Sequence, residues 1–174
     1  MKHLPRRLCL AAAVLLFAAL PQARAQVGVY ATYGGSNLNQ AYSDWASGPT
    51  FGVYLDALRF PAVRLGLDLR GTSMSTGSSD FQSGLIGPRI AFHVPVLSLN
   101  PYAEALTGAA HVRSGQGVAY SSDTHGEYGL VLGLDHTILP RVDWRVIDFT
   151  YTKFTGLVSQ KSISTGLVIR LPIR

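Results

Sequence analysis

Three sets of residues in this chain carry groups that could do chemistry. In the first, single charges interrupt apolar segments: Arg64, Asp68 and Arg70 alternate with Val63, Leu65, Leu67 and Leu69, and Arg89, Glu104, Asp135, Asp148 and Arg170 hold comparable positions further on. A planar guanidinium pairs well with carboxylates in a confined space, so these charges, gathered on one face, would form an ion-pair network. Asp56 and Glu127 add two more carboxylates to it. The second set is His111, Ser114, Ser121, Ser122, Asp123 and His125, which holds the hydroxyl, imidazole and carboxylate of an acyl-transfer site. A triad is defined by geometry and not by nearness in sequence, and Ser, Asp and His are common in polar links, so no catalysis is expected. The third set, His93, His111, His125 and His136, lacks metal-ligand spacing. Gly115-Gln116-Gly117 lacks the rest of a dinucleotide fingerprint, so neither a metal nor a cofactor is expected.

The 174 residues are 47% apolar and 14% charged, a balance that excludes disorder and suits one main domain. The formal charge of +5 resides mostly at the start, where Lys2, Arg6, Arg7 and Arg24 supply four of the fifteen basic residues. Lys2, Arg6 and Arg7 precede an apolar run at 8–20, and Ala23 and Ala25 follow it, the pattern of a secretory signal peptide. That run is shorter than the ~20 residues a transmembrane helix needs. Residues 1–25 are therefore expected to be a signal removed near Ala25/Gln26, with one domain at 26–174. The eleven basic residues that remain face ten acidic ones, which leaves no basic stripe for nucleic acid. Cys9, the single cysteine, departs with the signal, so no disulfide or thiolate site is expected.

The elements that must position these groups repeat with period two, the side-chain period of a strand. Tyr128, Leu130, Leu132 and Leu134 alternate with Glu127, Gly129, Val131, Gly133 and Asp135, and Ile163, Thr165, Leu167, Ile169 and Leu171 alternate with Ser164, Gly166, Val168 and Arg170. The same test predicts eight strands at 26–34, 48–56, 62–72, 81–93, 100–113, 125–136, 142–154 and 162–171. In the first, either the Val27 set or the Gly28 set could face outward. In the seventh, Val142, Trp144 and Val146 fall out of phase with Ile147, Phe149 and Tyr151, which predicts a bulge or a change of face. Short Pro-bearing links at 57–61, 94–99 and 137–141 alternate with longer polar ones at 35–47, 73–80, 114–124 and 155–161. An even strand count with short turns on one rim and long loops on the other is the pattern of an outer-membrane barrel.

A secreted soluble barrel or sandwich, with the Leu and Ile stripes inside binding a small apolar ligand, is the rival reading. Against it stand the polar-face glycines at 66, 87, 129, 133 and 166, which suit a crowded lumen better than a wet surface. Phe60, Phe92, Tyr102, Trp144, Phe149, Tyr151 and Phe154 fall toward strand ends, where interfacial girdles would lie. The expected fold is all-β: an eight-stranded antiparallel up-and-down transmembrane barrel.

On these residues the chain resembles the small eight-stranded outer-membrane barrels of Gram-negative bacteria, the OmpA-like and OmpX-like group, over residues 26–174. Its most specific piece is the last strand, where Ser164, Gly166, Ile169 and Leu171 look like the family's assembly signal, although Leu171-Pro172-Ile173-Arg174 replaces the usual terminal aromatic. The resemblance implies an outer-membrane location, contact with outer-membrane lipids and lipopolysaccharide, and insertion by the barrel-assembly machinery.

A barrel of this size is filled by its own side chains, so no wide pore is expected and a monomer is. The expected role is structural or surface-interacting, with Tyr42, Trp45 and Tyr120 in loops that could meet an extracellular ligand. A lipid-modifying enzyme is the alternative, although this chain lacks the His-any-Ser-Asn arrangement of the lipid A deacylases.

Overall fold

A computed structural model describes residues 25–39, 45–76, 79–116, 119–155 and 159–172. Eight strands run in chain order: β1 Gln26–Asn39, β2 Trp45–Arg59, β3 Val63–Thr76, β4 Ser79–Phe92, β5 Leu99–Gln116, β6 Ala119–Leu139, β7 Val142–Phe154 and β8 Ser159–Pro172. Each pairs antiparallel with the next, and β8 returns to β1, from Gln26↔Pro172 to Asn39↔Ser159, to close the wall. Closure leaves no strand edge unpaired, the condition for spanning hydrocarbon with strands.

Alternation assigns the two faces. Leu67, Leu69, Leu130, Leu132, Leu167 and Ile169 point outward and are exposed, whereas Arg64, Asp68, Arg70, Glu127, Val131, Asp135 and Val168 point inward and are buried. An apolar outside around a charged inside inverts the layout of a soluble barrel. In β1 the Gly28, Tyr30 and Thr32 set faces in, and Val29 and Tyr33 face out.

The seventh strand changes phase at a bulge. On the β6 side Leu134 pairs with Ile147 and Asp135 with Arg145, so Val146 is the extra residue; on the β8 side the register shifts between Arg145 and Asp148. Arg145 and Asp148, of opposite parity in the sequence, thereby both face inward.

Two sets of expectations are corrected. The strands outrun their predicted ends, most of all where polar links were expected: Ser114 pairs with Ser121 and Gln116 with Ala119, and Thr76 pairs with Ser79. Side-chain polarity reports what surrounds a strand, whereas backbone pairing continues above the apolar belt whatever the side chains are. Tyr102 and Phe154 are not girdle residues, because both have inward parity and are 3% and 7% exposed. Phe60, Phe92 and Trp144 do lie exposed on the outside.

Candidate functional site

The inner wall brings together arginines and carboxylates from seven strands, β2 to β8. Arg70 of β3 is the hub of one half: its Nε donates to Asp68 at 3.1 Å, its Nη1 to Asp148 at 3.2 Å, and its Nη2 to Glu104. Arg89 of β4 donates to the other oxygen of Glu104 and lies 3.5 Å from Asp135 and 3.9 Å from Asp56. Arg64 reaches Asn100 at 2.7 Å and Asp56 at 3.8 Å, and Arg170 of β8 pairs with Asp143 at 2.8 Å. All eight residues singled out for a network thus face the lumen. Seven of them, all but Arg170, engage one another or Asp56, whereas Arg170 finds Asp143.

Sequence reasoning missed the residue at the centre. Arg145 of β7 is fully buried and donates to both oxygens of Asp135, at 2.9 and 3.3 Å, and to Asp148 at 3.3 Å. Its only sequence signal was the phase break at 146–147, which admits either face for the residues before it. The tyrosines were missed as well. The guanidinium of Arg89 lies 4.2 Å from the ring centre of Tyr54 and 4.0 Å from that of Tyr102, and that of Arg145 lies 4.6 Å from Tyr102 and 4.1 Å from Tyr30. Tyr102 is therefore held between two arginines, and its hydroxyl donates to Asp148 at 2.6 Å. Desolvated cation–π contacts of this kind contribute up to ~2 kcal/mol.

Each of these rings lies over a glycine on the paired strand. Tyr30 is opposite Gly52, Tyr54 opposite Gly28 and Tyr102 opposite Gly133, and a Cβ at any of the three glycines would fall 2.2 to 2.3 Å from the ring. The lumen is narrow enough that a stacked tyrosine needs an opposing residue without a side chain.

Above this layer, toward the longer links, Ala46, Met74, Phe81, Ala110 and Phe154 form an apolar cluster, with the Phe81 and Phe154 rings edge to face at 5.9 Å. Below it, the Nδ1 of His93 lies 2.8 Å from the Oδ1 of Asn100, so His93 faces inward rather than lying at an interface.

The acyl-transfer candidates lie on paired ends of β5 and β6. His111 is opposite Thr124, with its Nδ1 at 3.0 Å from the Thr124 hydroxyl and its Nε2 at 3.3 Å from Arg113 Nε. The backbone of Ser114 faces that of Ser121, and that of Arg113 faces Ser122; the side chains of Ser114, Ser121 and Ser122 lie outside the described residues. His125 is opposite Ala110 and exposed Asp123 opposite Val112. Among the described residues, no group of three His, Cys, Asp or Glu could hold a metal ion. Trp45 is exposed at the start of β2, Tyr42 lies outside the described residues, and Tyr120 is described only by its pairing with Gly115.

The final strand places Ser164 inward, its hydroxyl 3.2 Å from that of Thr32, with Gly166 opposite Thr32 and Ile169 and Leu171 outward.

A closed eight-stranded wall, apolar outside and charge-paired inside, is the build of a membrane barrel. A family model described as the outer membrane protein beta-barrel domain matches residues 9–170, and the chain belongs to that family, which places it in an outer membrane. Among solved structures it is similar to Ail of Yersinia pestis, at 11% identity and a TM-score of 0.60, and to Neisserial surface protein A, at 18% and 0.57. It is also similar to the N-terminal barrel domain of OprF of Pseudomonas aeruginosa, at 13% and 0.54. Each alignment covers 84% of this chain and 97% of the other. No curated protein matches by sequence.

Proposed function

We propose that this protein is a non-conducting, non-catalytic outer-membrane anchor that presents its outer strand ends and loops to the cell's surroundings. The observation that carries the reading is the filled lumen: five inward arginines, three tyrosines and their carboxylates occupy the middle, and an apolar cluster closes the outer end. An eight-stranded barrel has only enough interior for its own side chains. Reconstitution in planar bilayers tests this: no steady channel is expected, and a long-lived open conductance would overturn it.

At the outer rim, exposed Trp45, Arg113, Lys153 and Lys161 are placed to meet lipopolysaccharide, the aromatic at the interface and the cations at its phosphates. No catalysis is proposed for His111, Asp123 and His125, which stand on the paired ends of β5 and β6. Unchanged lipid A on expression of the protein is the expected result, and a new lipid A species would overturn this part. Because the closed wall leaves no free strand edge, the protein is proposed to be a monomer.

Residues 1–24 lie outside the described residues, and β1 begins at Gln26, immediately after the proposed cleavage point at Ala25/Gln26. Recognition by the barrel-assembly machinery is assigned to Ser164, Gly166, Ile169 and Leu171 on the closing strand.

A further inference from the structure

Among the described residues seven carboxylates point into the lumen, and six have an arginine nitrogen within 4.0 Å: Asp56, Asp68, Glu104, Asp135, Asp143 and Asp148. Glu127 has none among the described residues, although it is only 3% exposed, and its Oε2 lacks a hydrogen-bond partner there. A buried carboxylate without a counter-charge is among the most costly arrangements a protein can hold.

Glu127 lines a cavity of about 20 Å³ between the charged layer and the apolar cluster, roofed by Met74 and Phe81. That volume admits a particle the size of one water molecule. Among the described residues the one arginine in the cavity wall is Arg70, and each of its guanidinium nitrogens is already given to a different carboxylate. The Ser83 and Thr152 hydroxyls face the Glu127 carboxylate. Gln160 donates its amide to Ser36 at 2.6 Å, which leaves its Oε1, on the same cavity, without a partner.

Two unpartnered oxygens, one of them anionic, among hydroxyls and without a free cationic donor, make a ligand set for a hard cation. We propose that Glu127 and Gln160 bind one alkali-metal cation, sodium or potassium, in this cavity. A single unpaired carboxylate balances a single positive charge, whereas a divalent ion would leave an uncompensated positive charge buried beside it. With the apolar cluster above and the arginine layer below, the ion exchanges with solution but does not cross the barrel. It completes the charge balance of the outer half of the lumen.

The test uses the folded barrel in detergent, with the temperature at which its heat-shifted gel band is half converted as the readout. Sodium, potassium and N-methylglucamine chlorides are compared at equal ionic strength. Sodium or potassium is expected to raise the midpoint saturably over N-methylglucamine, and the arm with the lower half-saturating concentration identifies the preferred ion. Glu127→Gln is expected to abolish the difference while still folding. Equal midpoints in all three salts for the unaltered protein, or an undiminished response in Glu127→Gln, would overturn the proposal. Should Glu127→Gln not fold, Gln160→Ala decides: a several-fold higher half-saturating concentration is expected, and an unchanged one overturns it. An infrared carboxylic-acid band present in sodium at neutral pH and lost in Glu127→Gln would also overturn it, because a proton would then hold the place of the ion.

Discussion

Replacing Arg145 by Met removes a fully buried cation of the lumen while keeping most of its volume. Asp148 keeps the Arg70 contact at 3.2 Å and the Tyr102 hydroxyl at 2.6 Å, so it stays well held. Asp135 loses the donors at 2.9 and 3.3 Å and retains only Arg89 at 3.5 Å, so the uncompensated charge falls mainly there. Breaking a buried pair from one side costs about 3–5 kcal/mol, and Tyr30 and Tyr102 each lose a stacked guanidinium as well. The expected loss is therefore about 4 kcal/mol, read as a lower urea midpoint for unfolding from lipid vesicles. The double variant Arg145→Met with Asp135→Leu removes the stranded charge with its partner and should recover part of that loss, a coupling the double-mutant cycle measures. A single-variant cost within about 0.5 kcal/mol, the range of an unremarkable surface change, would refute the reasoning.

Leu132→Arg places a charge on the lipid face and should cost ~2–4 kcal/mol, seen as loss of the folded band from the outer-membrane fraction; normal insertion would mean that the faces are reversed. Gly133→Ala puts a methyl 2.2 Å from the Tyr102 ring and should lower the unfolding midpoint, with Tyr102→Phe in the same chain giving only partial relief, because the hydroxyl at 2.3 Å is removed while the ring carbons at 2.2 and 2.5 Å remain. Gly129→Ala sets a Cβ 2.4 Å from the Tyr151 backbone oxygen, so it too should destabilise the barrel measurably in the same assay. Truncation after Gly166 removes Ile169 and Leu171 and opens the β1–β8 seam, and should leave the protein out of the membrane fraction.

The parts of this architecture that were legible in the sequence are those in which strict alternation survives. Val63 to Arg70, Glu127 to Asp135 and Ile163 to Leu171 each sort their residues into two faces unaided, because a strand between lipid and a charged lumen tolerates few exceptions. The bulge at Val146 hid Arg145, since one extra residue reverses the parity on which the argument depends. The inward tyrosines were hidden for a different reason: an aromatic near a strand end suits an interfacial girdle as well as a lumen, and only the facing glycines at 28, 52 and 133 distinguish the two. Strand ends were illegible because pairing of Ser114 to Gln116 with Ala119 to Ser121 needs backbone groups alone.

The most direct test of a closed, lipid-embedded barrel with its charges inside is to fractionate expressing cells and run the outer-membrane fraction on SDS gels with and without boiling. A detergent-extractable band that migrates differently when unheated is the predicted result. A soluble periplasmic band with no heat shift would contradict the account, because it would place the Leu and Ile stripes inside and the arginines in water.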